Sequence, residues 1–373
     1  MPRFASLAVV GVLTGILLSA AGAADRLSAA DGKVAFPHAR LAQQSLEKHI
    51  RPGYRRFAEA TKKLDDVVAT DCALAGGAAR RKVGAAFDEV VTAWGNVEHI
   101  AFGPVTVEQR YERIMFWPDR RGIGARQVAK ALADHAPDVL DAKRLAEKSV
   151  AMQGLPALEA VLFGEASTGA EDGTAYRCGF AKAIASNLKG MARSIVDEWD
   201  APNGFSKSWL SPNPADPHFL KPEETTMALA KAFDRGLEKV RDQRLAGPMG
   251  LNTQRRKIAP PLRKSNRSMR LIVANIVGLR DLYVGGGLEQ ALIEAAGDPS
   301  DNSKELAQLV SKELATAGRE GRELLKAKSP FEGAASQRII ALGFPLKNAR
   351  TTAAEMFASV TDLPLGFNAS DGD

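Results

Sequence analysis

The stretch Gln153-Gly-Leu-Pro-Ala-Leu-Glu-Ala-Val-Leu-Phe-Gly164 sets a single carboxylate, Glu159, inside an otherwise apolar run. On a 3.6-residue repeat Glu159 shares its face with Leu155, Leu162 and Phe163. A charge on such a face is costly to bury unless something pairs with it. Upstream, Ala142 to Met152 reads as helix, so Gly154 and Pro156 predict a kink within a continuing helix. Pro156 has no N–H for the carbonyl of Met152, and its ring pushes the backbone aside. Two readings of Glu159 follow: an acid tied to an arginine across a helix interface, or an acid that a broken helix delivers to a pocket.

Outward from this segment, helical periodicity dominates. Pro37 to Ala73 carries Leu41, Leu46, Ile50, Phe57, Leu64 and Val68 at helical steps, and Ala78 to Ile100 continues with Val83, Phe87, Val90, Val91 and Trp94. Gly122 to Ala133 and Tyr176 to Trp199 follow the same rule, the latter through Phe180, Ile184, Leu188, Met191 and Ile195. Asp200 to Pro222 is rich in Pro, Asn and Gly and predicts a break. Beyond it, 223–245, 266–283, 287–296, 303–327 and 334–360 read as helices. No stretch alternates as a β-hairpin would. The expectation is an all-α fold of two helical bundles packed side by side, 24–200 and 223–373, joined by a linker over 201–222.

The N-terminus addresses the compartment. Arg3, the apolar run Leu7 to Leu18 and Ser19-Ala-Ala-Gly-Ala23 have the form of a secretory signal peptide. Residues 1–23 are expected to be removed after Ala23, leaving an exported, periplasmic chain, and no later segment reads as a membrane helix. In such a compartment the two cysteines, Cys72 and Cys178, are expected to form a disulfide.

Charge is unevenly placed. From Gln243 to Arg280 there is no acid, whereas Arg244, Arg255, Arg256, Lys257, Arg263, Lys264, Arg267, Arg270 and Arg280 are basic. Nucleic acid is a poor partner outside the cytoplasm, and aromatics that would stack bases are missing from this run. An anionic surface or a carboxylate-rich ligand suits Arg255, Arg256, Lys257, Arg263 and Lys264. A solvated basic loop between helices is the plainer alternative.

The five histidines form no HExxH pair, and GxSxG, P-loop and dinucleotide fingerprints are absent. The densest polar group lies in the first half: Trp94, Glu98 and His99, then Arg110, Arg113, Trp117, Asp119 and the arginines that follow. Aromatics, an acid and arginines this close suit a pocket wall. Arg113 could pair with Asp119 or Glu159. Asp119 could equally cap the next helix around Gly122. His99 serves as either a ligand contact or a satisfied interface histidine.

Several separated motifs, in order, carry a resemblance: Trp94 with Phe102-Gly-Pro104, Arg113-Ile-Met-Phe-Trp-Pro-Asp119, Gly122-Ile-Gly-Ala-Arg-Gln127, Gln153 to Glu159, and Gly366 to Asp373. Together they resemble the imelysin-like family across essentially the whole mature chain. The resemblance implies two helical bundles with a functional site where they meet, a link with iron uptake and an inherited metallopeptidase label. The family's GxHxxE motif is matched at Gly154 and Glu159, whereas Pro156 stands in the histidine position. Binding residues expected on these grounds are Glu159, Gly154, Gln153, His99, Arg113 and Asp119. The expected function is a periplasmic binding or accessory protein in iron acquisition. Its ligand would be a small molecule or a metal (iron or another divalent ion), and iron-transport components would be its partners. The alternative is a metal-dependent hydrolase using Glu159.

Overall fold

A computed structural model describes residues 35–72, 77–164, 171–251, 258–297 and 302–361, with no strand among them. The signal segment, Arg255, Arg256, Lys257 and the motif from Gly366 to Asp373 lie outside the described residues.

The long helices follow the apolar spacing. Helix α1 (Arg51–Asp71) buries Tyr54, Phe57, Thr61, Leu64 and Val68 at three- and four-residue steps. Helix α2 (Gly77–Gly95) buries Val83, Phe87, Val90 and Trp94. The short α3 (Gly154–Phe163) and the long α4 (Glu171–Asp200) complete the first half, with α1 against both α2 and α4. The Cys72–Cys178 disulfide, S–S 2.06 Å, ties the end of α1 to α4.

In the second half α5 (Pro222–Glu238), α6 (Ser268–Val284), α7 (Ser303–Leu324) and α8 (Gly333–Val360) pack on one another. The halves meet chiefly through α2 and α6. There the chain uses small residues: a Cβ on Gly278 would lie 2.2 Å from the Asn96 carbonyl oxygen, and one on Gly95 2.5 Å from the Ala274 methyl. Helix α6 with the following Leu288–Ala296 helix is long and apolar enough by length and composition to cross a membrane, contrary to the sequence reading. Its most apolar window is 72% buried within the fold, which makes it a core helix.

Two further departures bear on the site. The region between the halves carries a helix, Phe205–Leu210, whose Trp209 is buried, stacks on Phe102 and donates to the Ala42 carbonyl. The spacing of Pro and Gly signalled turns, but the aromatics between them had apolar surface to cover. Second, two helices widen into π-helical segments, Leu46–Ile50 ahead of α1 and Lys239–Ala246 after α5. Such bulges re-aim side chains and recur at functional sites. Here they carry His49, Lys239 and Arg244.

Candidate functional site

The kink expected at Gly154 is instead a clean start. The helix of 142–152 breaks into Ala142–Ala146 and a short 3-10 turn, Val150–Met152. Gln153 is then extended, and Gly154 adopts φ +66°. A Cβ there would lie 2.2 Å from the Arg113 carbonyl oxygen and 2.3 Å from that of Ile114. Only glycine combines that φ with that approach. Pro156 falls in the first turn of α3, where its missing N–H would have had no helical partner anyway.

Glu159 is buried, and its partner is not an arginine. Its Oε1 accepts from the Ser265 backbone N–H at 2.8 Å and from Ser265 Oγ at 2.6 Å. Burial pushes the Glu159 carboxyl above the ordinary range, while the Ser265 bonds and the charges of Lys264 and Arg267 pull it back. The acid therefore grips the loop 258–267, the centre of the basic run. The same loop is held elsewhere by residues of the first half. Trp117 Nε1 donates to the Ala259 carbonyl at 3.0 Å. Arg267 pairs with Asp88 at 2.7 Å and lies 4.9 Å over the Phe163 ring.

The remaining expected residues separate into distinct groups. Arg113 pairs with neither Asp119 nor Glu159. Its Nε donates to Gln153 Oε1 at 2.9 Å, and a second guanidinium nitrogen to Asn187 Oδ1 at 3.3 Å. Asn187 Nδ2 donates to that same Gln153 oxygen, and Gln153 Nε2 donates to the Lys148 carbonyl at 2.9 Å. This network fixes the entry to α3 beside Gly154. Asp119 is a cap: its carboxylate accepts from the N–H groups of Ile123, Gly124 and Ala125 at 2.7, 2.9 and 3.3 Å. His99 faces His49, Nε2 to Nε2 at 2.8 Å, fully inside the protein.

A polar cluster between the halves joins Glu98 and Arg244, which the sequence reading had placed in separate groups. Glu98, in the turn that follows α2, receives both terminal nitrogens of Arg244 at 2.6 Å, one on each carboxylate oxygen. Asn275 of α6 donates to Glu98 Oε2 at 3.0 Å and accepts from Arg244, and Lys239 stands 3.6 Å from Glu98 while bonding Tyr111. Arg244 also faces the Trp117 ring at 5.4 Å, which connects this cluster to the loop. Burial opposes the Glu98 charge, but Arg244, Lys239 and Asn275 outweigh it and hold the carboxyl at about 2. The available signal was Asn275, a lone amide in the apolar run of α6.

This arrangement makes the fold acid-labile. Burial lowers His99 to about 3, with Glu98 opposing, and burial, His99 and Arg56 lower His49 well below 6.5. Both rings are neutral when folded and would take up protons on unfolding below pH 6.5. Their contribution is present above that pH and is lost as pH falls below it, for His99 toward about 3. Glu98 acts lower, its contribution fading as pH drops from 4.5 toward 2. Melting temperature should therefore decline from pH 6.5 downward, and less steeply in a His49→Gln/His99→Gln protein between pH 6.5 and 4.5. Parallel wild-type and double-variant profiles in that interval would contradict this assignment.

Beside the Glu159–Ser265 contact lies an open cavity of about 830 Å³. The loop 258–268 forms one wall, the 328–332 turn between α7 and α8 another, and Phe163 of α3 a third. Two positive-φ residues, Leu262 at +51° and Asn266 at +59°, shape the loop wall. Of the basic residues expected to meet a partner, Arg263 and Lys264 line this cavity, whereas Arg244 is buried against Glu98.

The family model for imelysin, which carries a peptidase label, matches residues 50–360. The chain belongs to the imelysin family. Solved structures of the same fold include an imelysin-like protein from Psychrobacter arcticum 273-4, 19% identical, with a TM-score of 0.72 over 88% of this chain and 97% of that one. A protein described as a candidate iron-regulated protein A precursor from Parabacteroides distasonis ATCC 8503 is 13% identical, with a TM-score of 0.65 over the same shares. At these identities the likeness is one of fold. No curated protein sequence matches the chain.

Against the imelysin motif, the chemistry around Glu159 is informative. Among the described residues no group of three or more His, Cys, Asp or Glu side chains could hold a metal ion. The groups near Glu159 are the Ser265 donors and the cations Lys264 and Arg267. Donors and cations suit a carboxylate and repel a metal, so the surroundings of Glu159 do not fit a metal ion. The two bonds from Ser265 instead make Glu159 a clamp between α3 and the basic loop.

Proposed function

We propose that this imelysin-family protein is an exported binding protein serving iron acquisition, whose ligand site is the cavity beside Glu159. Its signal peptide would be removed after Ala23, and bundles 24–200 and 223–373 would be its two units. The observation that carries the binding reading is the Glu159–Ser265 clamp: the motif acid holds a loop that walls an open cavity. A cavity of about 830 Å³ falls in the range that encloses small ligands. The iron connection rests on family membership and on the description of the Parabacteroides structure. The motif position held by Pro156 and the donor set around Glu159 weigh against a metal-dependent hydrolase.

Iron starvation of the native host tests this reading. Abundance of the mature protein in the periplasmic fraction should rise several-fold, and a deletion strain should grow more slowly only when iron is scarce. Constant abundance and unchanged growth under starvation would contradict it.

A further inference from the structure

The cavity beside Glu159 and a second one lined in part by Asp88 differ in charge. The second, about 500 Å³, is lined by Arg56, Lys63 and Arg270 against Glu59, Asp88 and Glu89. Its charges neutralise one another, with Lys63 bonded to Glu89 at 2.6 Å and Arg270 to Asp88 at 3.0 Å. The cavity beside Glu159 has Arg263, Lys264 and Lys328 against one carboxylate, Glu332. Among the described residues, none of these three cations is salt-bridged. Arg263 and Lys264 stand on one wall and Lys328 on the other, so a ligand between them meets positive charge from both sides. Glu159, buried behind Ser265, offsets part of the charge of Lys264, which leaves Arg263 and Lys328 facing only Glu332 among the acids of the lining. Asn266 and Ser329 add polar groups to the lining, and Phe163 and Phe331 add ring surface.

Resting on the iron-acquisition reading, we propose that this cavity binds iron as an anionic, carboxylate-rich ferric chelate and not as a bare cation. A free metal ion would enter a positive field with a single carboxylate to meet it. A ferric chelate with excess carboxylates presents oxygen acceptors and negative charge, which suit Arg263, Lys264 and Lys328. The chelator supplies the metal's ligands, so the protein needs no metal-ligating cluster of its own. The cations are exposed at the rim, so affinity should fall with salt.

Calorimetric titration of the full mature protein with ferric citrate tests the proposal, with zinc chloride titrated separately. Ferric citrate should bind at one site and more weakly at high salt. Arg263→Glu/Lys264→Glu, and separately Lys328→Glu from the opposite wall, should each weaken it by about tenfold or more. Lys312→Glu, an equal charge change at an exposed position on α7, should leave the affinity within about twofold. All these positions are exposed, and circular dichroism melting verifies that each variant folds. The proposal is overturned if wild type does not bind ferric citrate, if both wall variants bind it as wild type does, or if zinc alone binds stoichiometrically and the wall variants leave that binding intact. The starvation response does not depend on these side chains. A failed titration with an intact starvation response would therefore overturn the chelate site alone.

Discussion

Arg244→Met should cost about 3–5 kcal/mol of folding stability, the range for removing one partner of a buried ion pair. The loss arises less from the missing attraction than from what is left behind. Glu98 is 1% exposed and takes both terminal guanidinium nitrogens of Arg244 at 2.6 Å. With Arg244 gone, its carboxylate retains Asn275 and the more distant Lys239, too little to offset burial. Converting the acid as well, in Glu98→Gln/Arg244→Met, should recover part of the loss because no buried carboxylate then stays uncompensated, although Lys239 loses its nearest acid. Urea unfolding of the two single variants and the double variant gives the coupling directly. Additive losses would mean that the two side chains do not act as a pair.

The second large effect concerns the Cys72–Cys178 bridge. It joins residues 106 apart and fastens α1 to α4. In the chain-entropy model, opening a loop of that length costs about 4–5 kcal/mol. Cys72→Ser/Cys178→Ser, or reduction of the wild type, should lower the urea midpoint accordingly. The loss should be the same whether or not ligand is present, since neither cysteine lines the cavity. A change under about 1 kcal/mol would show that the reduced unfolded chain stays compact near these positions.

The helices were legible because each buries a face at three- and four-residue steps, and α1, α2 and α4 follow that rule almost residue for residue. Lone-motif chemistry was less so. The carboxylate of Glu159 was visible as an anomaly, but its partner, Ser265, lies 106 residues away in a loop whose cations drew more notice. Arg113 and Asp119 looked like pocket residues because sequence proximity cannot separate a cap from a ligand contact. Their hydrogen bonds show one fixing the entry to α3 and the other capping Ile123–Asp134. Arg244 read as part of a basic surface. Two tertiary features bury it: the π-helical segment that turns it inward and the close approach of α2 to α6 at Gly95 and Gly278. Such features depend on which helices become neighbours, and local sequence carries little of that.

Glu159 serves as a clamp on the basic loop and not as a metal ligand. Hydrogen exchange of the Ser265 amide, which donates to Glu159 Oε1 at 2.8 Å, tests it most directly. Glu159→Ala should abolish protection across 258–267 while leaving α1 and α6 protected, and Glu159→Gln, which keeps an oxygen acceptor at that position, should preserve it. If Glu159→Ala exchanges at 258–267 as slowly as the wild type, Glu159 does not hold the loop and the account is wrong.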